Sequence, residues 1–593
     1  MRILLVCSSF DALTQRTWLA LRRAGHEVSV ELALSEQLML EAVQLAKPDL
    51  VICPCLAERT PPPVWQGVRT IVFHPGPPGD RGPAPLDRAI AGGEREWGVT
   101  ALQAAREMDA APVWAYRTFP IPPEPPRKSA LYNGPVAEAA AELALEVAAR
   151  AADPAFTPPP PPADPASPTG PSRPARPATA ASPDPGRALA WEQPTEAVLR
   201  CVRAADGEPG GRAELCGMPV RVFDVYRGPA LRGTPGTVAG RREGAVLVHT
   251  GDGTVWVGQL RAEEPGAVKL PAALVLGERL AGAGDQPGYS EVTYDRGDGV
   301  GVVAFDFYDG AMSTGQCRRL VSVLRYAAAQ DTRVLVVRGG EVFSRGIHLN
   351  VIEAAPHPEL EAWMNLDALG RACRELLACT GQLVVTSLGG DAGAGGMMLA
   401  LGGDRVMIRS GVVLHPNHRA MGLSGGELWT YALPRRVGTA QARRLLRRAL
   451  PVGAQEAVEL GLADRVVPGS RLEFERTVLE YAEKLAASPG YDRLLAVKKE
   501  ARDADERHKP LDVYRAEELA ELSRDVFADR RGFRAARRAF VHGRRPARTP
   551  TRLAVHREVS REVHREGQAA AQTAAQTESS GASPPSDARA SHM

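Results

Sequence analysis

Between Thr157 and Gly186 the chain reads TPPPPPADPASPTGPSRPARPATAASPDPG. Proline fixes φ and removes backbone donors, and alanine and serine offer little bulk to bury, so this stretch cannot join a packed core. Residues 153–187 are therefore expected to form an extended, disordered linker. Whatever folds must fold on either side of it. The length agrees: 593 residues exceed the roughly 250–300 that one hydrophobic core supports, and about four domains is the prior.

Composition excludes more than it assigns. Lys plus Arg number 72 against 70 Asp plus Glu, a net charge of +2, so there is no global field to draw nucleic acid. The Arg-rich stretch from Arg530 to Arg565 reads as a solvated helix face running into a tail. The opening MRILLVCSSFDALTQ has too short an apolar run for a signal peptide. No segment approaches the ~20 apolar residues needed to cross a membrane. Eight scattered cysteines predict reduced thiols in a cytoplasmic protein. Cys53 and Cys55 lack a second pair to complete a zinc site, so no metal site is expected.

Four units follow from the pattern. In residues 1–152, short apolar runs such as ILLV and DLVICP alternate with amphipathic stretches such as ALTQRTWLALRRAG, which predicts an α/β unit with a parallel sheet. Residues 188–280 carry MPVRVFDVYRG, GAVLVHT and TVWVGQL around the hairpin signal TGDGT, which predicts a small β-rich, barrel-like domain. Residues 285–545 return to strands mixed with long helices. Residues 546–593 turn polar and are expected to be a disordered tail.

One strand of the first unit ends at a histidine, in TIVFHPGPPGDRGPAP. In parallel α/β sheets, sites form beyond the carboxyl ends of the strands. His74 occupies such an end, and Asp109 follows a strand and turn that can return to the same edge. A histidine beside a carboxylate is minimal equipment for acyl transfer. The wording HPGPPGDRGPAPLDRAI, then GVT, then MDA, resembles the folate-dependent formyltransferases. Their signature is Asn-x-His before a Pro-rich Arg-Gly loop. The resemblance implies a Rossmann-like fold, His74 and Asp109 as catalytic residues, Arg81 and Gly82 in the loop that holds folate, and 10-formyltetrahydrofolate as donor. Val72 stands where that family has Asn, which removes an amide that would hold the formyl oxygen. The middle unit is similar to the small carboxyl-terminal domain of such transferases.

The unit at 285–545 carries EVFSRGIHLN, QLVVTSLGGDAGAGGMMLALGGDRVMI and AVELGLADRVVP. These resemble the crotonase (enoyl-CoA hydratase/isomerase) superfamily over about 250 residues. The resemblance implies an oxyanion hole from the N–H groups of Ile347 and Gly395, with Phe343, Ser344, Gly346 and Gly396 holding coenzyme A. Where hydratases place two glutamates, this chain has Met398 and Asn417, neither able to move a proton. His418, Arg419 and Glu427 lie nearby, and Glu427 is the named base. A first-turn helix carboxylate favoured by the dipole is the alternative reading. The His348 side chain is expected to point away from ligand. Lys498, Lys499 and Arg502 read as a solvated helix face.

Taken together, HPG..GDRG, FSRGIHLN and WTYALPRRVG resemble a family of fused hydrogenase maturation proteins along nearly the whole chain. That resemblance implies formyl transfer from 10-formyltetrahydrofolate to coenzyme A, then decarbonylation of formyl-CoA. The carbon monoxide would be destined for the iron of a nickel–iron hydrogenase. The large subunit or its maturation proteins are the implied partners. A tRNA formyltransferase, a plain acyl-CoA hydratase or hydrolase, and a non-enzymatic scaffold remain the alternatives.

Overall fold

The computed structural model describes residues 1–80, 82–106, 111–159 and 188–558. Most of the Pro-rich linker, together with Arg81, Asp109 and the chain from 559 onward, lies outside the described residues.

The first unit is a six-stranded sheet of β1 (Arg2–Cys7), β2 (Glu27–Leu32), β3 (Leu50–Cys53), β4 (Thr70–His74), β5 (Glu96–Gln103) and β6 (Val113–Pro120). Its order is β2-β1-β3-β4-β5-β6. The first four strands run parallel. β5 runs antiparallel to both its neighbours, β4 and β6, which corrects the expectation of a wholly parallel sheet. An apolar run reports burial and is blind to strand direction. The helix Ala12–Arg23 starts where Asp11 caps Thr14 N and buries Leu13, Trp18 and Leu21 against the sheet.

The middle unit is an antiparallel sheet running Gly211–Leu215, Met218–Arg227, Thr254–Ala262, Ala245–His249 and Val238–Arg242, with Leu270–Pro271 paired to Thr254–Ala262. The path does not close, so this is an open sheet rather than a complete barrel. The helix Thr195–Ala205 covers one face with Val198, Leu199 and Val202.

The third unit has strands Val300–Phe305, Val334–Arg338, Leu383–Leu388, Arg405–Arg409 and Arg465–Val467 in parallel, with Val292–Gly297 antiparallel at one edge. Phe305 packs against Phe307 and Phe343, with ring centroids 5.4 and 5.2 Å away. Each such buried ring contributes about 1.5–3 kcal/mol. Two very short strands matter more than their length. Gly346–Ile347 pairs with Ala311–Met312, and Ala392–Gly393 pairs with Val413–His415. A bridge from Ser344 to Ala392 then holds the two loops side by side.

Buried arginines join the units. Arg16 of the first unit reaches Asp391 of the third at 2.8 Å. Arg127 bonds Asp224 of the middle unit at 2.9 Å and Glu341 of the third at 2.7 Å. The expected disordered tail is corrected over its first part, because residues up to 558 pack on the edge strand β2. Val30 N donates to Leu553 O at 3.0 Å. Glu31 is wholly buried, accepts from Thr549 Oγ1 and Arg557 Nε, and lies 3.1 Å from His556 Nε2. A composition shift toward polar residues cannot reveal that a carboxylate some 520 residues upstream will satisfy them.

Candidate functional site

The first site sits at the carboxyl end of β4. His74 pairs in register with Thr100 of β5. The loop after it is pinned twice: Trp97 Nε1 donates to Pro75 O at 2.9 Å and Thr100 Oγ1 to Gly76 O at 2.7 Å. Gly76 must lack a side chain, because a Cβ there would fall 2.6 Å from His74 Nε2 and 2.4 Å from Asp80 Oδ2. The loop therefore folds Asp80 back so that its Oδ2 stands 2.9 Å from His74 Nε2. Arg88 Nη2 bonds both oxygens of Asp80 at 2.8 Å.

The result is an Arg–Asp–His row with the imidazole partly exposed. Such a row orients a ring and can hold or return one proton. The sequence reading missed Asp80. Its signal was a carboxylate six residues after the histidine, within a Pro-Gly loop rich in turn residues. Gly82 lies beyond, at φ 89°. Asp109 and Arg81 lie outside the described residues. Val72, two residues before His74, packs partly buried against the cluster that includes Val51, Cys53 and Val64.

The second site is built from the two paired loops. A Cβ at Gly346 would stand 3.2 Å from Gly395 N, so the residue before Ile347 faces the amide of Gly395 directly. Ala394, just before it, adopts φ 45° and ψ −124°, a conformation costly for an L residue. Strain of that kind persists only where surroundings impose it. A Cβ at Gly395 would meet Glu427 Cδ at 2.8 Å, and one at Gly396 would meet Ser344 O at 2.2 Å. The glycine run is thus a cradle with no room for side chains.

Glu427 closes the cradle. Its Oε2 accepts from Gly426 N at 3.1 Å and lies 3.0 Å from His418 Nε2. Its Oε1 lies on the Gly395 side, 2.8 Å from where a Cβ at that residue would be. Glu427 and His418 are both buried, and His418 Nδ1 and Asn417 Oδ1 have no hydrogen-bond partner. Met398 is buried in the core. A carboxylate backed by an imidazole, beside that glycine run, is equipment for moving one proton under low dielectric.

Other expected site residues distribute differently. The ring of Phe343 turns into the core against Phe305, so only its backbone lines the loop. Ser344 Oγ accepts from Gly346 N at 3.0 Å and shapes the loop from within. His348 points away from the cradle: Nδ1 accepts from Val351 N at 3.3 Å, and burial pushes its pKa down to about 4. Lys498 and Arg502 are corrected from a solvated face. Lys498 bonds Asp404 at 2.6 Å and Arg502 bonds Glu506 at 2.8 Å, and both line a cavity of about 160 Å³ with Tyr431 and Arg435.

Comparison with known proteins parallels this division. The enoyl-CoA hydratase/isomerase family matches residues 298–546, and the formyl transferase C-terminal domain family matches residues 186–273. The chain is 41% identical over 547 residues to the hydrogenase maturation factor HoxX of Bradyrhizobium diazoefficiens, covering 91% of this chain and 95% of that one. It is similar to the crystal structure of HypX from Aquifex aeolicus in complex with tetrahydrofolic acid, with a TM-score of 0.87 and 37% identity over 94% of this chain and 99% of that one. A methionyl-tRNA formyltransferase of Roseiflexus castenholzii is 32% identical over 212 residues, or 34% of this chain and 63% of that one.

Proposed function

The chain belongs to the family of the hydrogenase maturation factor HoxX, and from that premise we propose that it makes carbon monoxide for a nickel–iron hydrogenase in two steps. In the first, 10-formyltetrahydrofolate gives its formyl group to the thiol of coenzyme A. The S–C bond forms, the N10–C bond breaks, and the thiol proton ends on folate nitrogen. His74 polarises the formyl oxygen, and Asp80 with Arg88 fixes its ring. Asp109 is proposed from resemblance alone as the group that carries the proton. Arg81 and Gly82 hold the folate end. The tetrahydrofolate bound in the HypX structure supports this donor class.

In the second step the N–H groups of Ile347 and Gly395 polarise the thioester carbonyl, with Gly346 and Gly396 admitting it. Glu427 takes the formyl hydrogen as a proton while His418 holds its other oxygen. The C–S bond then breaks, CO leaves, and the proton passes to the thiolate. Buried Met398 and Met397 keep water away from the ester. The large subunit of the hydrogenase or its maturation proteins are the proposed recipients. The eight free cysteines support a cytoplasmic setting.

The observation that carries the reading is the position of Glu427 against Gly395, with Met398 and Asn417 where hydratases carry their two glutamates. The deciding experiment supplies formylfolate and coenzyme A to the protein and traps gas with reduced haem. Carbonyl-haem that disappears in Glu427→Gln, while tetrahydrofolate still forms, is the expected result. Formate in place of carbonyl-haem would make the chain a hydrolase.

A further inference from the structure

Glu427 and Leu428 both sit in the left-handed region, at φ 62° and φ 61°. Neither is glycine, and each such residue costs of order 1–3 kcal/mol unless its surroundings impose the conformation. Leu428 also precedes the helix Trp429–Val437 and gives it no side-chain cap. The first N–H groups of that helix need acceptors from elsewhere.

One helix answers both needs. From Leu511–Val526, Glu518 accepts Leu428 N at 2.7 Å, Thr430 N at 2.8 Å and Thr430 Oγ1 at 2.5 Å. One turn on, Leu522 stands 2.7 Å from where a Cβ at Gly426 would be. Asp525 accepts Ser424 N at 2.7 Å. Positions 518, 522 and 525 share one helical face, and all three are buried. That face reads along the whole 424–430 loop. Burial, reinforced by the nearby Glu427 charge, pushes Glu518 up to about 7 against the pull of its donors.

We propose that Glu518 is a positioning residue for the second step: by holding the backbone of Leu428 and Thr430 it imposes the turn that aims Glu427 at Gly395. The inference rests on the assignment of Glu427 as the group that takes the formyl hydrogen. A helix cap alone would lower stability and leave the chemistry untouched.

The test uses the full chain in two assays: CO trapped by reduced haem from supplied formyl-CoA, and, as the control, tetrahydrofolate formed from supplied formylfolate and coenzyme A. For Glu518→Gln, kcat for CO release is expected to fall about 10- to 100-fold, the usual consequence of displacing a reacting group by about 1 Å. KM for formyl-CoA and tetrahydrofolate formation stay at wild-type values, and the pH profile of CO release shifts. Leu522→Ala, which alters the same face without touching charge, shows the same loss in smaller measure and carries the test if Glu518→Gln does not fold. A lowered Tm with wild-type kcat and pH profile would overturn the proposal. Undiminished CO release from Glu427→Gln would instead remove the assignment beneath it, and the proposal with it.

Discussion

Nε2 of His74 lies 2.9 Å from Oδ2 of Asp80, and Asp80 is in turn gripped through both oxygens by Arg88. Three residues within fifteen positions therefore form one row. Asp80→Asn keeps the shape and removes the charge that orients the ring. Tetrahydrofolate formation is expected to fall about 100-fold, within the range for a general acid–base contribution, while CO release from supplied formyl-CoA stays unchanged. Equal loss in both assays would mean the loop matters only for folding.

Gly395→Ala places a methyl 2.6 Å from Leu369 Cδ2 and 2.8 Å from Glu427 Cδ. Overpacking of this kind costs roughly 1–3 kcal/mol, which thermal unfolding will register. The larger expected effect is loss of CO release, since the added methyl pushes Glu427 out of the cradle. Tetrahydrofolate formation is the control.

Arg127 is buried and bridges all three units through Asp224 and Glu341. Arg127→Met leaves the buried Asp224 and the partly exposed Glu341 without their cation, and breaking a buried pair typically costs about 3–5 kcal/mol. Asp224 already stands near pKa 7, raised chiefly by burial, so the variant should take up a proton at that residue. Calorimetry should show a lowered Tm. An unchanged Tm would mean that the three units hold together without this bridge.

Glu291 bonds Gln316 Nε2 at 2.7 Å and pairs with Arg319, yet burial raises it from 4.5 to about 7. The folded state therefore keeps this proton at pH values where the unfolded chain has released it. Its contribution to stability falls as pH rises from about 4.5 to about 7 and is flat above. Glu291→Gln abolishes that titration. Denaturant unfolding at pH 5 and pH 8 should show the variant gaining on the wild type by about 1–3 kcal/mol between the two. Parallel profiles would contradict the assignment.

Much of the architecture was legible because it is local. The runs ILLV, DLVICP and QLVVTSL are buried strands wherever they fall, and a proline tract cannot enter a core in any context. The glycine run before Met397 and the histidine at the end of β4 announced two sites, since backbone freedom and strand ends are properties of short segments. Strand direction at β5 was not legible, because burial pattern carries no polarity. Nor was the role of Lys498, whose partner Asp404 lies 94 residues earlier.

What the tertiary structure alone decided is which charges meet. Glu518 and Leu428 are 90 residues apart, and Thr549 and Glu31 are separated by 518. Such pairs leave no period in the sequence. They form because a buried carboxylate must find donors, and only the assembled fold determines which donors come within reach.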